Sequence, residues 1–112
     1  SEKYAGALPM WLMPEQVRVL PISEKFLDKA LKVDRELKAQ GIRSTADSRN
    51  EKIGYKIREA QMEKIPYMLI IGEKEVQENV VSVRSRKDGV LGSMSLEAFL
   101  EKALTEIREK TK

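Results

Sequence analysis

The 112-residue sequence contains neither cysteine nor histidine, and each absence removes a class of chemistry. Without cysteine there is no disulfide framework and no thiolate metal site. Without histidine the commonest general base and the commonest metal ligand are gone, which excludes Ser-His and Cys-His catalysis and zinc chemistry. Aromatic residues are scarce, at 5% with a single Trp, and no apolar run approaches membrane-spanning length. No basic-then-apolar leader with a small-residue cleavage site is present, so the expectation is a cytoplasmic protein with no membrane segment.

What the sequence has is charge. Asp, Glu, Lys and Arg make up 35% of residues beside 41% hydrophobic ones, an ordinary balance for a soluble globular domain. The net charge is only +3, yet from Arg43 to Lys87 there are ten Lys or Arg against seven Asp or Glu, so the whole excess lies mid-chain. The carboxylates lie among Lys and Arg on polar stretches, where a solvated ion pair is the default reading rather than a tuned acid-base pair. No catalytic and no metal-binding residue is assigned. The length implies one domain, 1–112, able to bury a core without metal or disulfide. Residues 1–8 read as a linker or frayed start and 109–112 as a frayed end.

Periodicity gives the order β-α-β-α-β-β-α. "EQVRVLPI" predicts a strand over about 16–20, and Ser23 then reads as the N-cap of a helix carrying Phe26, Ala30, Val33 and Leu37 and stopped by Gly41. "IRSTAD" is a second strand with Ile42, Ser44 and Ala46 on one side. Ile53, Ile57 and Ala60 mark the next helix, closed by Pro66. "YMLIIG" is apolar throughout, as a strand buried on both faces requires. "VSVRSR" alternates, with Arg84 and Arg86 on one side. Asp88-Gly89 is a hairpin signal before a brief strand, and Ser95 caps a last helix with the stripe Leu96, Phe99, Leu100, Ala103, Leu104 and Ile107. The predicted fold is an α/β three-layer sandwich. Its mixed sheet of about five strands has three parallel strands plus an antiparallel hairpin, flanked by three helices on both faces.

In such a sheet, ligands gather at the carboxyl ends of the parallel strands. The stretch "ADSRNEKIGYKIREA" follows the second strand and "GEKEV", read as a turn, follows the third, so both are expected on one edge with Arg84 within reach. By residue type alone, a turn bearing Lys and Arg before an amphipathic helix is more often a solvated surface than a nucleic-acid site. Trp11, beside Leu12, Met13 and two prolines, reads as a packing anchor rather than a base-stacking platform.

Three stretches carry a resemblance: "PMWLMPEQVRVLPI", "GIRSTADSRNEKIGYKIREAQMEKIPYMLIIGEKEV" and "VSVRSRKDGVLGSMSLEAFL". Together they closely resemble the C-terminal anticodon-binding domain of bacterial-type threonyl-tRNA synthetase, a class IIa aminoacyl-tRNA synthetase, over nearly the entire chain. The resemblance implies a domain that grips the anticodon stem-loop of threonine tRNA, with its N-G-U anticodon. A separate catalytic domain, with no counterpart in this sequence, would attach threonine. It implies Asn50, Lys52, Lys74, Glu75 and Arg84 as anticodon-binding residues. Arg49, Lys56, Arg58 and Arg86 are the expected contacts to the RNA backbone. No cofactor belongs to this domain, since the family's ATP, magnesium and zinc act in other domains. The partners implied are the tRNA, the catalytic domain and, for the parent family, a second subunit in a homodimer, with neither DNA nor a membrane. The rival reading is a non-catalytic protein-interaction or oligomerisation module of a diverged relative.

Overall fold

The structure, a computed structural model of the chain, describes residues 8–111. Five strands among these residues form one sheet: β1 (Val17–Pro21), β2 (Ser44–Ala46), β3 (Tyr67–Ile71), β4 (Val81–Ser85) and β5 (Gly89–Met94), in the spatial order β2-β1-β3-β4-β5. Among the described residues four α-helices accompany them: α1 (Leu27–Ala39), α2 (Ile53–Met62), α3 (Glu73–Glu78) and α4 (Leu96–Arg108). The apolar run that predicted a fully buried strand is β3, the middle strand.

The expectation of three helices needs correction, because "GEKEV" is not a turn but opens α3. The segment has no apolar period to register, and no residue of α3 is buried. Its ends hold it instead. The Gly72 N–H donates to Glu75 Oε1 at 2.7 Å, and Asn79 turns the chain with φ 54°, a left-handed conformation that Asn tolerates better than most residues. Ser23 also differs from expectation, since it precedes a 3-10 turn, Glu24–Phe26, makes no side-chain cap, and leaves α1 to begin at Leu27. Ser95 caps α4 as expected, its Oγ accepting the Ala98 N–H at 3.0 Å.

Helix α2 ends before Pro66, at Met62, and the turn that closes it passes through Lys64, which has φ 62°. The Ile65 N–H donates to Ala60 O and the Lys64 N–H to Gln61 O, both at 3.1 Å. These are the two bonds of a Schellman motif, and Ile65 packs back on Ala60. The same pair of bonds closes α1 at Gly41 and α4 at Lys110.

β1 runs parallel to both neighbours, with Val17 opposite Ser44 and Tyr67, while β3, β4 and β5 are successively antiparallel. The first crossover moves from β1 to β2 and the second returns past β1 to β3, so right-handed connections put α1 and α2 on opposite faces. On one face Ala30, Val33 and Leu37 of α1 and Phe99 and Ala103 of α4 pack on Val17, Val19, Leu69, Val81 and Val83. On the other, Ile53, Ile57 and Ala60 of α2 pack on Leu20, Met68 and Ile70. That second layer stops at β3. Beyond it the sheet pairs Ser82 with Ser93 and Arg84 with Val90 on the open face, and Val90 is 67% exposed.

Candidate nucleic-acid interface

The carboxyl ends of β1, β2 and β3 meet at one edge of the sheet, where the two crossovers leave in opposite directions. This is the position at which open α/β sheets form their crevice. Lys56 lies beneath that edge. It is 2% exposed, and its Nζ donates to Pro21 O at 3.1 Å and to Asp47 O at 3.2 Å. The side chain therefore ties α2 to the ends of β1 and β2, and burial holds its pKa below the usual lysine value. The expectation that Lys56 contacts RNA phosphate is corrected: its ammonium is inside the fold.

Residues 47–52 leave β2 as an ordered loop. Asp47 is buried and its N–H donates to Val19 O at 2.9 Å. Its carboxylate accepts Arg49 Nε at 2.9 Å, Arg49 Nη2 at 2.8 Å and the Arg49 backbone N–H at 3.2 Å. Arg49 reaches on to Glu59 of α2, and its guanidinium lies 5.8 Å from the centre of the Tyr55 ring. Those contacts hold both carboxyls, Asp47 and Glu59, below their usual pKa range, chiefly through hydrogen bonds from Arg49. Expected as a phosphate contact, Arg49 already sits between two carboxylates.

Arg86 is at the opposite end of the sheet, past the end of β4. Its Nη1 donates to Lys64 O at 2.9 Å and its Nη2 to Leu8 O at 2.8 Å, joining the α2–β3 turn to the segment that leads into the fold. It is not near the edge that carries the other candidates. The remaining ones are Asn50 and Lys52, exposed on the 47–52 loop, Lys74, exposed on the first turn of α3, Glu75, partly buried beside it, and Arg58, exposed on α2. Arg84 is partly buried on the open face, opposite Met68 of β3, about 10 Å below the edge at a strand's rise per residue. The side chains of Lys52, Arg58, Lys74 and Arg84 make no hydrogen bond or ion pair among the described residues.

Two features of this region had no sequence signal. Gly72 lies against Ile22, where a Cβ would fall 2.8 Å from Ile22 Cδ1 and 3.2 Å from Glu75 Oε1, so a glycine lets the carboxylate fold back onto the end of β3. The second is the open flank of α2. Glu59 and Glu63 face β2 and β1 through Arg49 and Arg18, the latter at 2.7 Å. Gly54, Arg58 and Gln61, at helical spacing on the other side, therefore border the uncovered sheet of Ser82, Arg84, Val90 and Ser93.

Residues 16–106 match the model of a protein family described as the anticodon binding domain. The chain belongs to the anticodon-binding domain family. Over 110 residues, 98% of its length, the chain is similar to the threonine–tRNA ligases of Caldanaerobacter subterraneus subsp. tengcongensis, at 62% identity, and Acetivibrio thermocellus, at 56%. It spans 17% of the length of each of those relatives. It is also similar to a crystal structure of the RNA binding domain of threonyl-tRNA synthetase from Cryptosporidium parvum Iowa II. The TM-score is 0.86 at 37% identity, covering 93% of this chain and 26% of that one.

This anticodon-binding domain thus presents two surfaces that meet at a corner. One is the edge carrying Asn50, Lys52, Lys74 and Glu75, and the other is the open face carrying Arg84. Cations without protein partners, an amide and a carboxylate are donors and acceptors suited to the exposed edges of single-stranded bases. Among the described residues no helix is long and apolar enough to cross a membrane.

Proposed function

We propose that the chain is the tRNA-recognition domain of a threonyl-tRNA synthetase and binds the anticodon stem-loop of threonine tRNA. The observation that carries this reading is the 62% identity to a threonine–tRNA ligase along 98% of the chain. In this reading Glu75 accepts from the N1–H and N2 amine of the central guanine. Asn50 and Arg84 donate to uracil carbonyls, Lys74 approaches the anticodon beside Glu75, and Lys52 and Arg58 attract backbone phosphates, which position the loop without specifying its sequence. The domain itself takes no cofactor. Threonine attachment belongs to a catalytic domain of the parent protein, which acts as a homodimer.

The test is a titration of the 112-residue chain with an anticodon stem-loop carrying N-G-U and with the same stem-loop carrying a different central base. Preferential binding of the first, weakening as salt rises, is expected. Equal affinity for both, or none for either, would remove the reading.

A further inference from the structure

We propose that Arg49 is a positioning residue rather than an RNA ligand: it clamps the 48–52 loop to α2 so that Asn50 and Lys52 are presented in one fixed arrangement. The inference rests on the recognition reading above.

The geometry carries it. Arg49 belongs to the same loop as Asn50, and its guanidinium spans the gap between the end of β2 and the outer surface of α2. Asp47 takes its Nε and Nη2 in a fork, Glu59 takes Nη2 and, at 3.5 Å, Nη1, and Tyr55 covers one side while donating its hydroxyl to Glu59 at 3.3 Å. Most of the N–H groups of the guanidinium are therefore taken. A planar fork of this kind fixes orientation as well as distance.

Electrostatics points the same way. A phosphate approaching Arg49 would meet two carboxylates around one cation, so the cluster of Asp47, Arg49 and Glu59 repels an anion unless it comes apart. Beneath it, the Lys56 ammonium holds Asp47 O and Pro21 O, so the anchored end of the clamp cannot drift. Further along the loop, the Glu51 N–H donates to Arg49 O at 2.9 Å, which carries the constraint past Asn50. Lys52, by contrast, is exposed and without a protein partner, free to meet an anion.

The two roles differ in how they respond to a charge-conserving change. Arg49→Lys keeps the cation but loses the fork. For a clamp, affinity for the N-G-U stem-loop falls roughly tenfold, the equivalent of re-ordering one backbone residue on binding, while the slope of affinity against salt is unchanged. For a phosphate ligand, lysine substitutes and affinity holds. Glu59→Gln separates them by sign: freeing a phosphate ligand from a competing carboxylate tightens binding and steepens the salt slope, whereas loosening a clamp weakens binding.

Arg49→Lys should also cost less in an Asn50→Ala background than in the wild type, because the clamp acts through Asn50. Equal costs in the two backgrounds would overturn the proposal. Amide hydrogen exchange without RNA gives an independent reading: residues 48–52 exchange faster in Arg49→Lys while the sheet does not. Unchanged exchange there refutes the clamp, even if the stem-loop titration has already refuted the recognition reading.

Discussion

Glu75 has two acceptor oxygens with different surroundings. Oε1 receives the Gly72 N–H at 2.7 Å, so the carboxylate is already oriented before any ligand arrives. Glu75→Gln keeps an oxygen for Gly72 and turns an NH2 group outward, so the fold is retained while the second acceptor is lost. In a titration of wild type and Glu75→Gln against stem-loops with guanine or inosine at the middle position, the wild type should lose roughly tenfold on inosine, a charged acceptor being left short of one donor. Glu75→Gln should bind guanine more weakly and show little guanine–inosine difference. Parallel shifts without coupling would remove Glu75 from the contact. Asp47 gives a second prediction at this scale. Its pKa is lowered in the fold by Arg49, so between that value and the unfolded one the unfolded chain binds more protons. The stability it supplies is therefore present above about pH 4 and is lost as pH falls through the folded value. Asp47→Asn should cost about 1–3 kcal/mol at neutral pH, and the gap from wild type should shrink in urea titrations at pH 3. A gap independent of pH would assign the cost to packing instead.

Among the elements, the helix ends differ most in how well the residue suits its place. Three helices close with the same pair of backbone bonds, but only α1 has a glycine at the left-handed position, while α2 and α4 use Lys64 and Lys110. The Arg86 contact to this turn uses the backbone oxygen of Lys64 and survives any substitution there. Lys64→Gly should therefore stabilise the chain by about 0.5–1 kcal/mol, the relief of left-handed strain less the entropy that glycine adds to the unfolded state. That corresponds to a rise of roughly 2–6 °C in Tm. Lys110→Gly should gain less, because Lys110 Nζ lies 5.1 Å from the centre of the Trp11 ring and that cation-π contact would go with it. Equal gains at both positions would show that the Trp11 contact contributes nothing.

For the whole molecule, the two layers are unequal, and under the proposed recognition role that asymmetry sets where RNA would lie. Val90→Glu places a negative charge on the open face beside Arg84, whereas Lys32→Glu removes a cation and adds an anion on the exposed side of α1. If only net charge mattered, Lys32→Glu would harm RNA binding more. If RNA lies across the corner of edge and open face, Val90→Glu should weaken it roughly fivefold, about 1 kcal/mol for one close like charge in water, and Lys32→Glu should change it little. Stem-loop titrations at one salt concentration compare them directly, with thermal melts to show that neither change unfolds the chain.

Apart from α3, the order of elements was legible in the sequence, as were the central place of β3, the pairing of the hairpin and the apolar faces of α1, α2 and α4, because each follows from a local period of two or of 3.6 residues or from a turn residue. The short helix α3 was not legible, since five polar residues and a lone exposed valine, held only at their ends, leave no such period. Nor could the sequence say which cations are free. Arg49 finds Glu59 ten residues away, Lys56 finds Pro21 thirty-five away and Arg86 finds Leu8 seventy-eight away, and no local pattern encodes partners at those separations. The stripe on α4 announces that it must be buried, but not on which face of the sheet. Tertiary packing sets α4 beside α1, and that choice leaves β4 and β5 uncovered on the face that carries Arg84.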